Sequence, residues 1–151
     1  MIPVPFSDEH AEEIALWHYE PPYDFYDPAS DPVDAQLLYD TAARHLYRAV
    51  VDETGELIGW WYLVPGGDEV EIGLGLRPDL TGRGLGRRFV ELELEYARRE
   101  WAPARFRLYV AAFNERARKL YERLGFVEVS RHVSTYEPFG AMEFLRMETD
   151  A

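Results

Sequence analysis

Two hydrophobic periods share this chain, and the points where one gives way to the other outline its elements. In EVEIGLGL, residues 69–76, Val70, Ile72, Leu74 and Leu76 fall at every second position. This buries one face of a strand and leaves Glu71, Gly73 and Gly75 on the other. Over residues 83–101 the period becomes helical, with Leu85, Phe89, Leu92 and Tyr96 at i, i+4, i+7 and i+11. HLYRAVVD and ELIGWWYLV read as strands joined at Glu53-Thr54-Gly55, a hairpin signal, and Pro65-Gly66-Gly67-Asp68 turns the chain into EVEIGLGL. RFRLYVAA is a further strand. NERARKLYERLG is a helix capped by Asn114, with Ala117, Leu120, Tyr121 and Leu124 on one face and Gly125 as its stop. FVEVSRHVS and MEFLRME close the chain as strands.

The first forty residues are less periodic. Residues 2–6 suit a short edge strand, where prolines are tolerated. Ser7 caps a helix starting at Asp8, with Ile14, Ala15 and Trp17 as its apolar side and Pro21-Pro22 as its stop. Asp31-Pro32 opens a second helix through Leu38. The order is β-αα-βββ-α-β-α-ββ, a single α/β domain over residues 1–151 with a mixed, mostly antiparallel sheet flanked by helices. EVEIGLGL and RFRLYVAA are expected to be parallel neighbours joined by a right-handed helical crossover.

Composition narrows the function. No apolar run approaches the ~20 residues of a membrane span, and MIPVPFSDEH lacks the basic and apolar regions of a secretory signal. With no cysteine, disulfides, thiolate metal sites and a cysteine nucleophile are excluded. His10, His18, His45 and His132 have no metal-ligand spacing, so no metal is expected. A cytoplasmic protein, monomeric or homodimeric, is the expectation. A net charge of −12 argues against a nucleic-acid partner. The charge is also uneven: residues 1–43 hold ten carboxylates and no Lys or Arg. That bias reads either as a solvated acidic surface or as a field that attracts a cationic small molecule.

Against this background RPDLTGRGLGRR, residues 77–88, gathers four arginines and three glycines. A strand that runs into Gly-x-Gly-x-Gly and then a helix offers free backbone N–H groups at a positive helix terminus, a site for phosphate. Gly82, Gly84 and Gly86 let the backbone approach an anion, and Arg83, Arg87 and Arg88 can add charge-assisted bonds. The segment therefore suits a pyrophosphate. It is not an ATP-binding P-loop, since no Gly-Lys-Ser/Thr run exists. The dinucleotide fingerprint fits poorly too, because position 87 is Arg and the segment does not open a doubly wound fold.

LRPDLTGRGLGRRF followed about thirty residues later by FNERARKLYERLGF resembles the two motifs of the GCN5-related N-acetyltransferase (GNAT) superfamily, in the right order and across a matching strand order. The resemblance implies acetyl-CoA as cofactor. Thr81, Gly82, Arg83, Gly84, Leu85, Gly86 and Arg87 would cradle its pyrophosphate. The strand edge at Leu74, Gly75 and Leu76 would pair with the pantetheine arm, with Asn114 and Ala117 beside it. Thr81 stands where the family usually has Arg or Gln. Tyr121 matches the tyrosine near the thioester sulfur and is the candidate general acid, although helical spacing alone makes it a core residue. Glu71 is the candidate base, with Glu69 second, on a face where Gly73 and Gly75 leave room for a thioester; a surface glutamate is the other reading. The backbone N–H of Leu74 or Gly75 could polarise the carbonyl. Members that acetylate ribosomal-protein N-termini carry a glutamate where this chain has Tyr109, although TYEP, residues 135–138, resembles theirs.

The family's acceptor wall falls on WHYEPPYDFYD. Carboxylates among aromatic rings suit an ammonium group, so Tyr23, Asp24, Tyr26 and Asp27 are candidate contacts for a cationic small molecule or a peptide amine. Two other classes stay open: a non-catalytic acyl-CoA binding or sensing module, and a domain for another nucleotide.

Overall fold

The computed structural model describes residues 1–30, 32–136 and 139–151. The expected helix opener Asp31, and Glu137 and Pro138 of TYEP, lie outside the described residues. The strands are β1 (Ile2–Pro5), β2 (Tyr47–Val51), β3 (Leu57–Gly66), β4 (Glu69–Leu76), β5 (Arg105–Ala111), β6 (Val127–Tyr136) and β7 (Gly140–Asp150). They form one seven-stranded sheet in the order β1-β2-β3-β4-β5-β7-β6. All pairs are antiparallel except β4 with β5, the parallel pair expected from the crossover.

Among the described residues four α-helices accompany the sheet: α1 (Asp8–Ile14), α2 (Pro32–Tyr39), α3 (Gly86–Trp101) and α4 (Glu115–Arg123). The alternation of strand residues sorts them into two cores. Val70, Ile72, Phe106, Leu108 and Val110 pack with Phe89, Val90 and Leu94 of α3 and Tyr121 of α4. Phe6, Ala11, Ile14, Leu38, Tyr47 and Ala49 form the other core with α1 and α2. No helix among the described residues is long and apolar enough to cross a membrane.

Two helix boundaries differ from the sequence expectation, each for a local reason. Helix α3 starts at Gly86 rather than Arg83 because Gly82 and Gly84 take φ of +72° and +78°, outside the right-handed helical region. Helix α1 ends at Ile14, well before Pro21-Pro22. Its last turn tightens into i→i−3 bonds, Leu16 N–H to Glu13 O and Trp17 N–H to Ile14 O at 3.2 and 3.0 Å, which swing Trp17 into the core.

The feature that positions the site is a divergence. β4 and β5 pair only at Glu69–Arg105, Val70–Phe106 and Glu71–Arg107, yet β4 runs on to Leu76 and β5 to Ala111.

Candidate functional site

Beyond Glu71 the two strands part, and β4 keeps an unpaired edge. The Arg77 N–H donates to Ile58 O at 2.8 Å, and the β3–β4 register is unbroken. By antiparallel alternation the backbone groups of Gly73 and Gly75 then face β3, while those of Ile72, Leu74 and Leu76 face the opening. The expected edge is therefore built from Leu74 and Leu76, with Gly75 turned away. One of its acceptors is already engaged: the Tyr19 hydroxyl donates to the Leu76 carbonyl at 2.7 Å. Burial, and then the charge of Asp27, push the Tyr19 phenol well above its ordinary pKa, so it stays a donor.

At the end of the opening the chain enters the glycine turn. A side chain at Gly84 would meet nothing, and one at Gly82 only Arg116 Nη1 at 3.8 Å. Leu85 precedes α3 without a side-chain cap, and among the described residues no side chain claims the first amides of that 16-residue helix. The arginines divide. Arg77 is a brace, bonded to Asp79 at 2.6 and 3.2 Å and to Glu56 at 3.0 Å. Arg87 and Arg88, expected on the anion, lie along α3 in ion pairs with Glu91 and Glu95 at 2.9 and 3.1 Å. Arg83 makes no ion pair among the described residues. Arg116, which the sequence reading passed over, stacks on the Tyr23 ring at 4.4 Å. Its only advance signal was a basic residue in the first turn of the helix that Asn114 caps. A cavity of about 500 Å³ opens here, lined by His18, Tyr19, Tyr23, Thr81 and Arg116 among others. Thr81 turns its hydroxyl back onto Pro78 O at 2.7 Å.

Two buried groups stand on the helices packed against the sheet: Tyr121 of α4 and, on α3, an acid that sequence reasoning missed. Tyr121 is buried against Phe126, with ring centroids 5.9 Å apart. Burial raises its pKa most, followed by the charges of Glu93 and Tyr26, so the phenol keeps its proton across neutral pH. Glu93 is wholly buried on α3 amid Phe89, Val90, Leu94 and Ala97. Among the described residues neither of its carboxyl oxygens has a hydrogen-bond partner. Burial drives its pKa far above the ordinary carboxylate range, and the Gly73 backbone, outside hydrogen-bonding geometry, offsets only a lesser part. The signal was legible: Glu93 follows Phe89 by four residues and shares its stripe.

Glu71 lies 3.5 Å from Arg107 Nη2. Glu69 is more heavily engaged, with Arg105 and Arg107 each at 3.2 Å and Arg146 at 3.8 Å. The space expected over both Gly73 and Gly75 is only half there. A Cβ at Gly75 would overlap the Trp60 indole, which occupies that place, whereas at Gly73 the nearest atom is Tyr62 Cβ at 3.5 Å.

The acidic aromatic loop folds over the junction of β5 and α4. Tyr23, Phe25 and Tyr26 all lie 6.0 to 6.2 Å from the Phe113 ring, centroid to centroid. Asn114 joins loop to helix: its Oδ1 accepts from Ala117 N–H at 3.1 Å and its Nδ2 donates to Tyr26 Oη at 3.2 Å. The amide of Ala117, expected beside the arm, is thereby used within the cap. Asp27 is not free to meet an acceptor. It is 8% exposed, and its two oxygens take the Tyr19 N–H at 2.7 Å and His18 Nδ1 at 2.9 Å. Asp24 is half-buried, with no partner for its carboxylate among the described residues.

Comparison with known proteins matches these features to one family. Residues 11–126 match the acetyltransferase (GNAT) family. The mycothiol acetyltransferase of Propionibacterium freudenreichii is 39% identical over 110 residues, 69% of this chain and 33% of its own length. That of Streptomyces coelicolor is 40% identical over 101 residues, 64% of this chain and 31% of its own length. The chain thus spans about a third of the curated relatives it matches. Among solved structures, the spermidine N-acetyltransferase of Vibrio cholerae in complex with CoA and spermine superposes with a TM-score of 0.77, 22% identity and coverage of 99% of this chain and 94% of that one. A dodecameric structure of the same enzyme gives 0.62, with 26% identity over 76% of this chain and 68% of that one. The divergent parallel pair, the glycine turn before α3 and these matches agree, and the chain belongs to the acetyltransferase (GNAT) family.

Proposed function

We propose that the chain is an acetyl-CoA-dependent N-acetyltransferase with an amine acceptor. The observation that carries this reading is the opening between β4 and β5, ending at an uncapped helix start behind two left-handed, unobstructed glycines. The fit is chemical as well as spatial: outward amides suit a diphosphate, and an unpaired strand edge suits an arm built of secondary amides. When bound, acetyl-CoA supplies the acetyl group as a thioester.

The amides of residues 82–87 would hold the diphosphate, with Arg83 and Arg116 as counter-charge. Leu74 and Leu76 would present their backbone groups to the arm. Tyr121, kept protonated by its surroundings, holds the proton at its phenol oxygen that a departing thiolate needs. Glu71 would take the proton of the attacking amine, directly or through a water in the space beside Gly73. Glu69 is less suited, because three guanidinium groups share it.

The acceptor is proposed to be cationic. Spermidine N-acetyltransferase, solved with spermine, supports an amine, and the acidic residues 1–43 would attract its charge. Asp24, between Tyr23 and Phe25 in the chain, is left as the carboxylate at this wall. Calorimetric binding of CoA, followed by thiol release from acetyl-CoA over panels of polyamines, aminoglycosides, amino acids and peptides, tests the reading. Binding with turnover on a cationic amine is expected, and no CoA binding would overturn it. The Glu71–Arg107 pair favours one alternative, an acyl-CoA sensing module, whose sign would be tight binding with no turnover on any amine.

A further inference from the structure

The acidic segment 1–43 has no Lys or Arg, yet one of its side chains can bring positive charge to the cavity beside the glycine turn. That side chain is His18. It is 76% exposed, but its ring is fixed, with Nδ1 against Asp27 Oδ2 at 2.9 Å. Asp27 is buried and takes the Tyr19 N–H on its other oxygen at 2.7 Å. A carboxylate only accepts, so Nδ1 carries the hydrogen, and Nε2 is left without a partner among the described residues. Fixing one ring nitrogen on a carboxylate aims an imidazole with the other.

The cavity, about 500 Å³, is also lined by Thr81, which leads into the turn, and by Arg116. Arg116 lies over the Tyr23 ring at 4.4 Å and makes no ion pair among the described residues. Its Nη1 is 3.8 Å from the place a Cβ would take at Gly82. Two acids share the lining. Asp79 is held by Arg77 at 2.6 and 3.2 Å, and Glu20 is exposed to water. An aimed imidazole and an unpaired guanidinium thus stand at one cavity beside the turn, and a phosphate is the anion that suits both.

We propose that His18, aimed by Asp27, binds a phosphate group of the acyl-CoA alongside Arg116, a contact from the acidic loop additional to the amides of the glycine turn. Protonated at both nitrogens, the ring donates Nε2–H to a phosphate oxygen while Asp27 balances its charge. The diphosphate and the ribose 3′-phosphate of the cofactor share this chemistry. The proposal rests on the cofactor reading above.

The test compares the wild type with His18→Asn, whose amide can keep the bond to Asp27 but offers nothing at the Nε2 position. Each is titrated calorimetrically with acetyl-CoA and with its 3′-dephospho form, at about pH 6 and about pH 8.5. At the lower pH the variant should bind acetyl-CoA about fivefold more weakly, and at the higher pH the two proteins should bind it almost equally. The other charged or titratable groups around His18 are Asp27, Tyr19, Glu20, Tyr23, Asp79 and Arg116. Both proteins carry them, and both meet the same ligand, so the ratio of affinities isolates the imidazole. A fivefold loss that persists with the dephospho form assigns the contact to the diphosphate; a loss that disappears assigns it to the 3′-phosphate. Equal affinity for acetyl-CoA at both pH values overturns the proposal. So does a loss of the same size at both, which would make His18 a packing residue of the loop. If the wild type binds neither ligand, the cofactor reading itself fails.

Discussion

The two halves of β4 were built for opposite tasks. Residues Glu69–Glu71 are paired on both sides, to β3 and to β5, and their carboxylates are held by arginines of β5 and β7. The residues after them are paired on one side only. Their side chains are small or apolar, and their neighbours are rings and a buried acid rather than ions: Trp60 over Gly75, Tyr19 on Leu76, Glu93 under Gly73. The lower half fixes where the strands separate, and the upper half is left with backbone groups to offer. A site of this kind needs a paired anchor immediately beside an unpaired edge, since a strand loose throughout would not keep its edge in place.

The largest effect is expected next to the upper half. Tyr121→Phe should lower turnover about 100-fold while acetyl-CoA affinity holds, because the substitution removes a proton donor and little else. Steady-state kinetics with calorimetry would measure both. A turnover within a factor of about two would strip Tyr121 of the acid role. Gly75→Val tests the architecture directly. Its branched side chain would collide with the Trp60 indole, and the cost should be about 2 kcal/mol in urea unfolding. Wild-type stability in that variant would mean that the indole moves away freely and that the upper half is not shaped by it.

Local patterns were easier to read from sequence than either half's distant contacts. Strand alternation in EVEIGLGL and the Asn114 cap of NERARKLYERLG are such patterns, and each lands where its period puts it. The misses are contacts between distant segments. Tyr19 reaches Leu76 across 57 residues, and no periodicity announces it. Trp60 fills the place above Gly75 through a cross-strand rotamer, so two glycines that looked equivalent in sequence are not. Asp27 looked like a free carboxylate because its partners, Tyr19 N–H and His18, are set by the loop's fold rather than by its composition. Glu93 was hidden by chemistry: a glutamate on a charged helix is read as solvated, and only its register with Phe89 places it inside.

The buried acid on α3 next to the upper half gives the fold a pH dependence. An unfolded glutamate titrates near pH 4.3, roughly. The native Glu93 holds its proton to a higher pH, so between the two values the folded state binds more protons than the unfolded one. Stability is then fully present at acid pH and drains away as pH rises toward the native pKa. Glu93→Gln cannot ionise and removes this slope. Its stability advantage over the wild type should be near zero around pH 4 and should widen by up to about 1.4 kcal/mol per pH unit above it. Paired urea melts across that range would show it, and a constant gap would mean that Glu93 reaches a solvated form the fold does not display.

The smallest effect is expected at the anchor. Glu69 meets Arg105, Arg107 and Arg146, but those guanidinium side chains remain 47%, 28% and 30% exposed, so water and salt share the interaction. Glu69→Gln should cost about 1 kcal/mol or less, shrink further in high salt, and leave acetyl-CoA affinity where it was. Binding measured beside melts at low and high ionic strength separates the alternatives. An affinity loss of about tenfold would show that the ion network sets the width of the opening, and the division of β4 into anchor and edge would give way to a single coupled unit.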